Sequence, residues 1–285
     1  MQIVMAITEA ESIGYVMLKD PLGEKLATAN GVAVGGWTSD PDMVELMAYM
    51  GFDWVMFDMM FTSTDLGKLE TLIRTAEGAG ITPAVRLPAF PWLGTDMAVP
   101  RTLGRVAGMG AKYVRVSVSN LEEMQACAKV AQDWHKKIMH IWKFDQTPEE
   151  TAASRTLLWP LAETADLLHS YKEIIAMPEV KIFGFGMGDA SMTLSGSKKA
   201  DFYHPKLWEH IDEAVDFAAQ HDAVIGCNTS YAPNLIEMNR RAVHAAQHGV
   251  RVIMLQGAPF LFQIAIAPFL RDLRDEILET ASAAN

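Results

Sequence analysis

The chain has 285 residues, 24 Lys and Arg against 35 Asp and Glu, and a net charge of -11. This length fits one large α/β barrel or two smaller domains, and the half of the residues that are apolar suffice for one large core. An acidic balance of this size argues against a nucleic-acid or anionic-membrane partner, while a local arginine still allows an anionic substrate.

No apolar run reaches the roughly 18 residues a membrane span needs. The opening Met1-Gln-Ile-Val-Met-Ala-Ile-Thr-Glu has no basic stretch before an apolar core, so no signal peptide and a cytoplasmic location are expected. The two cysteines, Cys127 and Cys227, sit in separate apolar stretches without a CxxC pattern and read as reduced core residues.

Short apolar runs alternate with longer amphipathic ones, which predicts βα units around a parallel sheet. Residues 1–21 read as an N-terminal extension, with a helix covering the barrel bottom as the expectation, and 22–285 as one catalytic domain. The predicted strands are Val32–Trp37, Trp54–Met59, Pro83–Pro88, Tyr113–Ser119, Thr156–Glu163, Val180–Gly186, Ala223–Asn228 and Arg251–Gly257. The predicted helices are Pro41–Tyr49, Asp65–Ala79, Leu121–Trp134, Thr164–Ala176, Lys206–Gln220, Asn234–His248 and a last one from Ala258 to about Ala281. Pro41 after Ser39-Asp40 suits a first helical turn, and Gly80, Gly110 and Gly249 suit helix ends. Eight strands is the number that closes a (β/α)8 barrel. One further segment, Lys137–Phe144, reads as a strand; it is taken as a hairpin over the barrel, and otherwise displaces Thr156–Glu163 as strand five. The last helix carries more large apolar residues, from Phe260 to Leu270, than one barrel face needs, which predicts an oligomer interface.

Strand ends of such a barrel share one face, where its enzymes place their chemistry. Glu163 and Asp189 each end an apolar run, and two carboxylates there suit a hard divalent cation holding an oxygen-rich substrate. Either alone also suits a helix cap; the pair, with Gly186 and Gly188 beside it, favours a site. Arg86 ends the third strand, either as a fork for a substrate carboxylate or carbonyl or as half of an ion pair inside the barrel. Asp58 ends the second strand, either as a proton carrier or as a cap. Arg115 lies within the fourth strand with its facing left open. Met59, Met60, Phe61 and Trp37 are expected to shape a pocket. No Cys–His or Ser–His–Asp signature is present, and Gly184-Phe-Gly-Met-Gly188 lacks a dinucleotide fingerprint.

The segments Gly51-Phe-Asp-Trp-Val-Met-Phe-Asp58, Gly80-Ile-Thr-Pro-Ala-Val-Arg86-Leu-Pro, Pro160-Leu-Ala-Glu163-Thr-Ala and Gly184-Phe-Gly-Met-Gly-Asp189, in this order, resemble the HpcH/HpaI aldolase and citrate lyase β-subunit family. The resemblance runs over about residues 22–270. It implies a modified (β/α)8 barrel whose last helix is swapped between subunits of a trimer or hexamer. It also implies a class II mechanism, with Mg²⁺, Mn²⁺ or Co²⁺ on Glu163 and Asp189 chelating a 2-oxo acid. Arg86 would stabilise the enolate oxygen, and the amides of Gly188 and Asp189 would hold the substrate carboxylate. The chain departs from the family where a Glu-His pair should follow Asp58: Met60 and Phe61 stand there instead. The usual fourth-strand Pro is replaced around Ser117, and His140-Ile-Trp-Lys-Phe-Asp replaces a Gly- and Arg-rich loop before Glu163.

The reading is a metal-dependent carbon–carbon lyase acting through an enolate on a 2-oxo or related chelating acid with an apolar or aromatic remainder. Glu163 and Asp189 hold the metal, Arg86 and Asp58 are catalytic, and Trp37, Met60, Phe61 and Gly188 contact substrate. The alternatives are a decarboxylase, hydratase or isomerase on the same site, and a non-catalytic ligand-binding barrel.

Overall fold

The computed structural model describes residues 19–88, 98–141, 156–229 and 231–283. Eight parallel strands close into a barrel: β1 Ala33–Trp37, β2 Trp54–Asp58, β3 Thr82–Arg86, β4 Tyr113–Val116, β5 Leu157–Ala162, β6 Ile182–Phe185, β7 Val224–Asn228 and β8 Val252–Met254. β1 pairs with both β2 and β8, so no edge is left open. The helices are α1 Pro21–Ala27, α2 Pro41–Tyr49, α3 Leu66–Ala79, α4 Ala98–Gly108, α5 Leu121–Ile141, α6 Ala165–His169, α7 Tyr171–Ile175, α8 Met187–Ser195, α9 Pro205–Ala218, α10 Leu235–Gln247 and α11 Ala258–Ala283. Both strand faces are buried, which is why these strands read as continuous apolar runs.

Apolar packing falls into two bodies. The larger lies between sheet and helices and includes Phe57, Leu69, Leu72, Phe183 and Phe185. The smaller fills the barrel with Trp54, Met56, Ala84, Tyr113, Trp159, Ile182 and Val252. Trp54 and Trp159 meet edge to face, ring centres 5.0 Å apart. Their bulk is admitted by glycine on other strands. A Cβ on Gly35 would lie 2.2 Å from Trp54 Cδ2, and one on Gly184 would lie 2.7 Å from Trp159 Nε1.

The N-terminal mouth is plugged by α1. Asp20 caps it by accepting from Gly23 N at 3.0 Å, Pro21 starts it, and Leu22 and Leu26 insert into the interior cluster. Asp20 also accepts from Thr82 Oγ1 at 2.9 Å and pairs with Lys112. The plug is therefore Pro21–Ala27; residues 1–18 lie outside the described residues.

Three expectations are corrected. Lys137–Ile141 is the last part of α5, not a strand, and the rest of the proposed hairpin lies outside the described residues. Ile138 and Ile141 stand three apart, a helical spacing that alternation would split between two faces, and no breaker separates them from Trp134. The helix expected over Thr164–Ala176 is broken at Ser170 into α6 and α7. Asp189, read as the end of an apolar strand run, lies instead in the first turn of α8, because β6 stops at Phe185. Cys127 and Cys227 are free and buried, as expected.

Candidate active site

Strand alternation decides what enters the mouth. Met56, Ala84, Tyr113 and Leu157 share one register row and lie in the interior cluster. Two residues further on, Asp58, Arg86, Arg115 and Trp159 form the next row on the same face. Continuing each strand by twos brings Ser117, Glu163 and Gly186 to the C-terminal rim.

Asp58 and Arg86 form a partly buried ion pair, Arg86 Nη1 to Asp58 Oδ2 at 3.4 Å. The other Asp58 oxygen accepts from the backbone N–H of Met60 at 2.7 Å and of Phe61 at 3.1 Å. Arg86 Nε reaches Ser117 Oγ at 3.5 Å, and the guanidinium lies 4.7 Å from the centre of the Phe61 ring. The turn that Asp58 caps thus lays Phe61 over Arg86. Phe61 is 64% exposed, and its ring meets the cation at the edge of the mouth.

Glu163 follows β5 directly and is half-buried. A Cβ on Gly186 would lie 2.4 Å from both Glu163 Cγ and Oε1, so only a bare backbone admits the carboxylate there. Thr193 Oγ1 donates to the Glu163 carbonyl at 3.0 Å and ties α8 to the end of β5. Burial raises the Glu163 pKa, Arg115 and Arg86 oppose this, and the charge of Asp189 reinforces it. Glu163 therefore feels both arginines and the second carboxylate. Asp189 stands exposed in the first turn of α8. Gly186, the N-cap of α8, provides no side-chain cap, so Asp189 is the acidic group of that first turn. Ser191 Oγ bonds the Gly188 carbonyl at 2.7 Å and accepts from Asp201 N at 3.0 Å, pinning the following loop to this turn.

The residues present fit a hard divalent cation. Among the described residues no group of three or more His, Cys, Asp or Glu gathers. Glu163 and Asp189 would supply two carboxylates and leave the other positions to water and substrate, as suits Mg²⁺ rather than a closed thiolate or imidazole site. Trp37 ends β1 beside the interior cluster, with Phe260 edge-on at 6.2 Å and Tyr231 a further 5.6 Å on. Met60 is half-buried next to the Asp58 turn. Met59 does not shape this site: it packs into the core between sheet and helices, because alternation turns it away from Asp58.

One feature was missed by sequence reasoning, and the facing of Arg115 was left open. The aromatic file Trp37–Phe260–Tyr231 joins β1 to the start of α11 and gives no signal in sequence. Arg115 does have one: it is two residues from Tyr113, and its strand phase follows from whichever neighbour is assigned to the interior. It points inward and is 3% exposed.

A family model described as HpcH/HpaI aldolase/citrate lyase matches residues 37–256. The chain belongs to this family. Among solved structures, an HpcH/HpaI aldolase from Desulfitobacterium hafniense DCB-2 is 18% identical with a TM-score of 0.69, over 89% of this chain and 96% of that one. An HpcH/HpaI aldolase/citrate lyase family protein from Burkholderia cenocepacia J2315 is 19% identical with a TM-score of 0.68, over 90% and 100%. A phosphonopyruvate hydrolase in complex with oxalate and Mg²⁺ is 10% identical with a TM-score of 0.55, over 94% and 91%. No curated protein matches the chain. Membership of the HpcH/HpaI family indicates an enzyme of the lyase type. The matched span holds Trp37, Asp58, Arg86, Arg115, Glu163 and Asp189, so these geometries fall inside the family domain.

Proposed function

We propose that this HpcH/HpaI family member is a divalent-cation-dependent lyase. It acts through an enolate on a 2-oxo acid, or a related chelating acid, with an apolar or aromatic remainder. The observation that carries the reading is the convergence of Glu163, Asp189 and Arg86 on one barrel mouth, with Gly186 leaving room for the Glu163 carboxylate. Bound between Glu163 and Asp189, Mg²⁺, Mn²⁺ or Co²⁺ would act as a Lewis acid on the substrate's carbonyl. Arg86 is placed to share the negative charge that moves onto that oxygen as the carbon–carbon bond breaks. The open first turn of α8, at Gly188 and Asp189, suits the substrate carboxylate. Phe61, Met60 and the Trp37–Phe260–Tyr231 file give the remainder an apolar wall. The exposed apolar residues of α11, Phe262, Phe269, Leu270, Leu273 and Ile277, support a homo-oligomer built on that helix.

One observation favours a second outcome on the same site. Retro-aldol cleavage needs a base for a hydroxyl proton, and both oxygens of Asp58 are already engaged. Decarboxylation of a 2-oxo acid that carries a second carboxylate on C3 needs none: the C3–carboxylate bond breaks, carbon dioxide leaves, and the electron pair stays on C3 and the C2 oxygen as the enolate. Assaying a panel of 2-oxo acids with Mg²⁺ and with chelator separates these. Chelator-sensitive aldehyde release supports the aldolase-type reading, and chelator-sensitive carbon dioxide release supports the decarboxylase. Turnover indifferent to chelator or to Asp189→Ala would contradict the proposed site.

A further inference from the structure

Arg115 is a fully buried cation that the proposed chemistry does not use. No carboxylate approaches it within ion-pair distance among the described residues, and its Nε has no hydrogen-bond partner. Its remaining contacts are weak: Nη1 to Met254 Sδ at 3.7 Å, and the guanidinium 6.0 Å from the centre of the Trp159 ring. β4 and β8 stand opposite each other in an eight-stranded barrel, so a β4 side chain that touches Met254 lies across the barrel axis. Arg86 approaches from the neighbouring strand in the same register row, and Glu163 and Asp58 are the nearest opposing charges. Burial, then Arg86, push the Arg115 pKa down to about 9, still above neutrality, so the group stays cationic.

Such a residue is costly to the fold. An unpaired buried guanidinium forfeits hydration without a compensating bond. Its fork retains unused donors and lies under the mouth formed by Asp58, Arg86 and Glu163.

We propose that Arg115 is a second anion-recognition residue, forming the cationic floor of the mouth with Arg86 as its wall, and that the pair selects ligands with two adjacent negative charges over those with one. This deepens the proposed function: an enolate beside a carboxylate is such a dianion, oxalate mimics it, and pyruvate carries a single charge. Loss of the floor penalises a dianion about twice as strongly, in free energy, as a monoanion.

The test is calorimetric titration of oxalate and of pyruvate into the wild-type protein, Arg115→Met and Arg115→Lys, each with and without Mg²⁺, alongside thermal melts. Arg115→Met is expected to lower oxalate affinity about tenfold or more, to lower pyruvate affinity by less, and to melt no lower than wild type because a buried unpaired charge is gone. Arg115→Lys keeps the charge on a shorter stem that does not span to Met254, and is expected to fall between the two. If Arg115→Met does not fold, Arg115→Lys decides, with an oxalate-to-pyruvate preference at least about threefold weaker than wild type. An unchanged preference in the folded variants, with Mg²⁺-dependent binding intact, overturns the proposal and leaves the metal site standing. Oxalate binding that ignores Mg²⁺ but is lost in Arg115→Met upholds the arginine floor and removes the metal from the proposed function. A wild-type protein that binds neither ligand overturns both.

Discussion

Single residues set the geometry of the mouth, and Gly186 is the most exacting of them. Its backbone occupies the space against which Glu163 packs. Gly186→Ala is expected to fold at a cost of about 1–3 kcal/mol while displacing the Glu163 carboxylate, so Mg²⁺-dependent oxalate binding should fall at least about tenfold. Near-native binding in a folded Gly186→Ala protein would contradict the packing argument. Phe61 makes a different contribution. Its ring screens Arg86, and Phe61→Ala is expected to cost at most about 1 kcal/mol of stability while raising the solvent exposure of Arg86. Asp58, Arg86, Glu163 and Asp189 were legible because each charge interrupts or ends an apolar run. The engagement of both Asp58 oxygens was not legible, since it depends on the turn through Met60 and Phe61 folding back on its own carboxylate.

At the scale of elements, the strand order and the barrel closure follow from the alternation of apolar runs and amphipathic helices. What escaped that reading has local causes. Gly186 at the N-cap and Gly188 in the first turn hide α8, because glycine lowers helix propensity where the helix begins. The end of α5 is hidden by a segment dense in apolar residues, in which the helical spacing of Ile138 and Ile141 is easily overlooked. The tryptophan–glycine packing inside the barrel is also invisible in sequence, because it joins residues from different strands. Gly35→Ala tests it: with a Cβ only 2.2 Å from Trp54, the variant should lose about 1–3 kcal/mol or more in urea denaturation. The α9–α10 contact offers a test by pH. Burial, aided by the charge of His248 and opposed by Asp212, lowers the His244 pKa. The unfolded chain therefore takes up a proton that the folded chain resists, and stability present above the ordinary histidine range is lost as pH falls through it. The urea midpoint should drop between about pH 8 and about pH 5.5, and His244→Gln should reduce that drop.

The whole molecule carries a net charge of -11 yet gathers two arginines at one barrel mouth. Under the proposed function, local placement and not net charge would set its affinity for anions. No described helix is long and apolar enough to cross a membrane. The long α11 leaves Phe269 and Ile277 exposed on the single chain, which an assembly would bury. Sedimentation should show an oligomer, and Phe269→Glu with Ile277→Glu should shift it toward monomer; a monomeric wild-type protein would contradict that expectation. The central claim is that Glu163 and Asp189 together hold a divalent cation, and paramagnetic titration of Mn²⁺ tests it most directly. The account predicts one Mn²⁺ bound per chain in the wild-type protein, and that binding lost in both Glu163→Ala and Asp189→Ala while each variant keeps its fold. Undiminished Mn²⁺ binding in either folded variant, or none in the wild type, would contradict it.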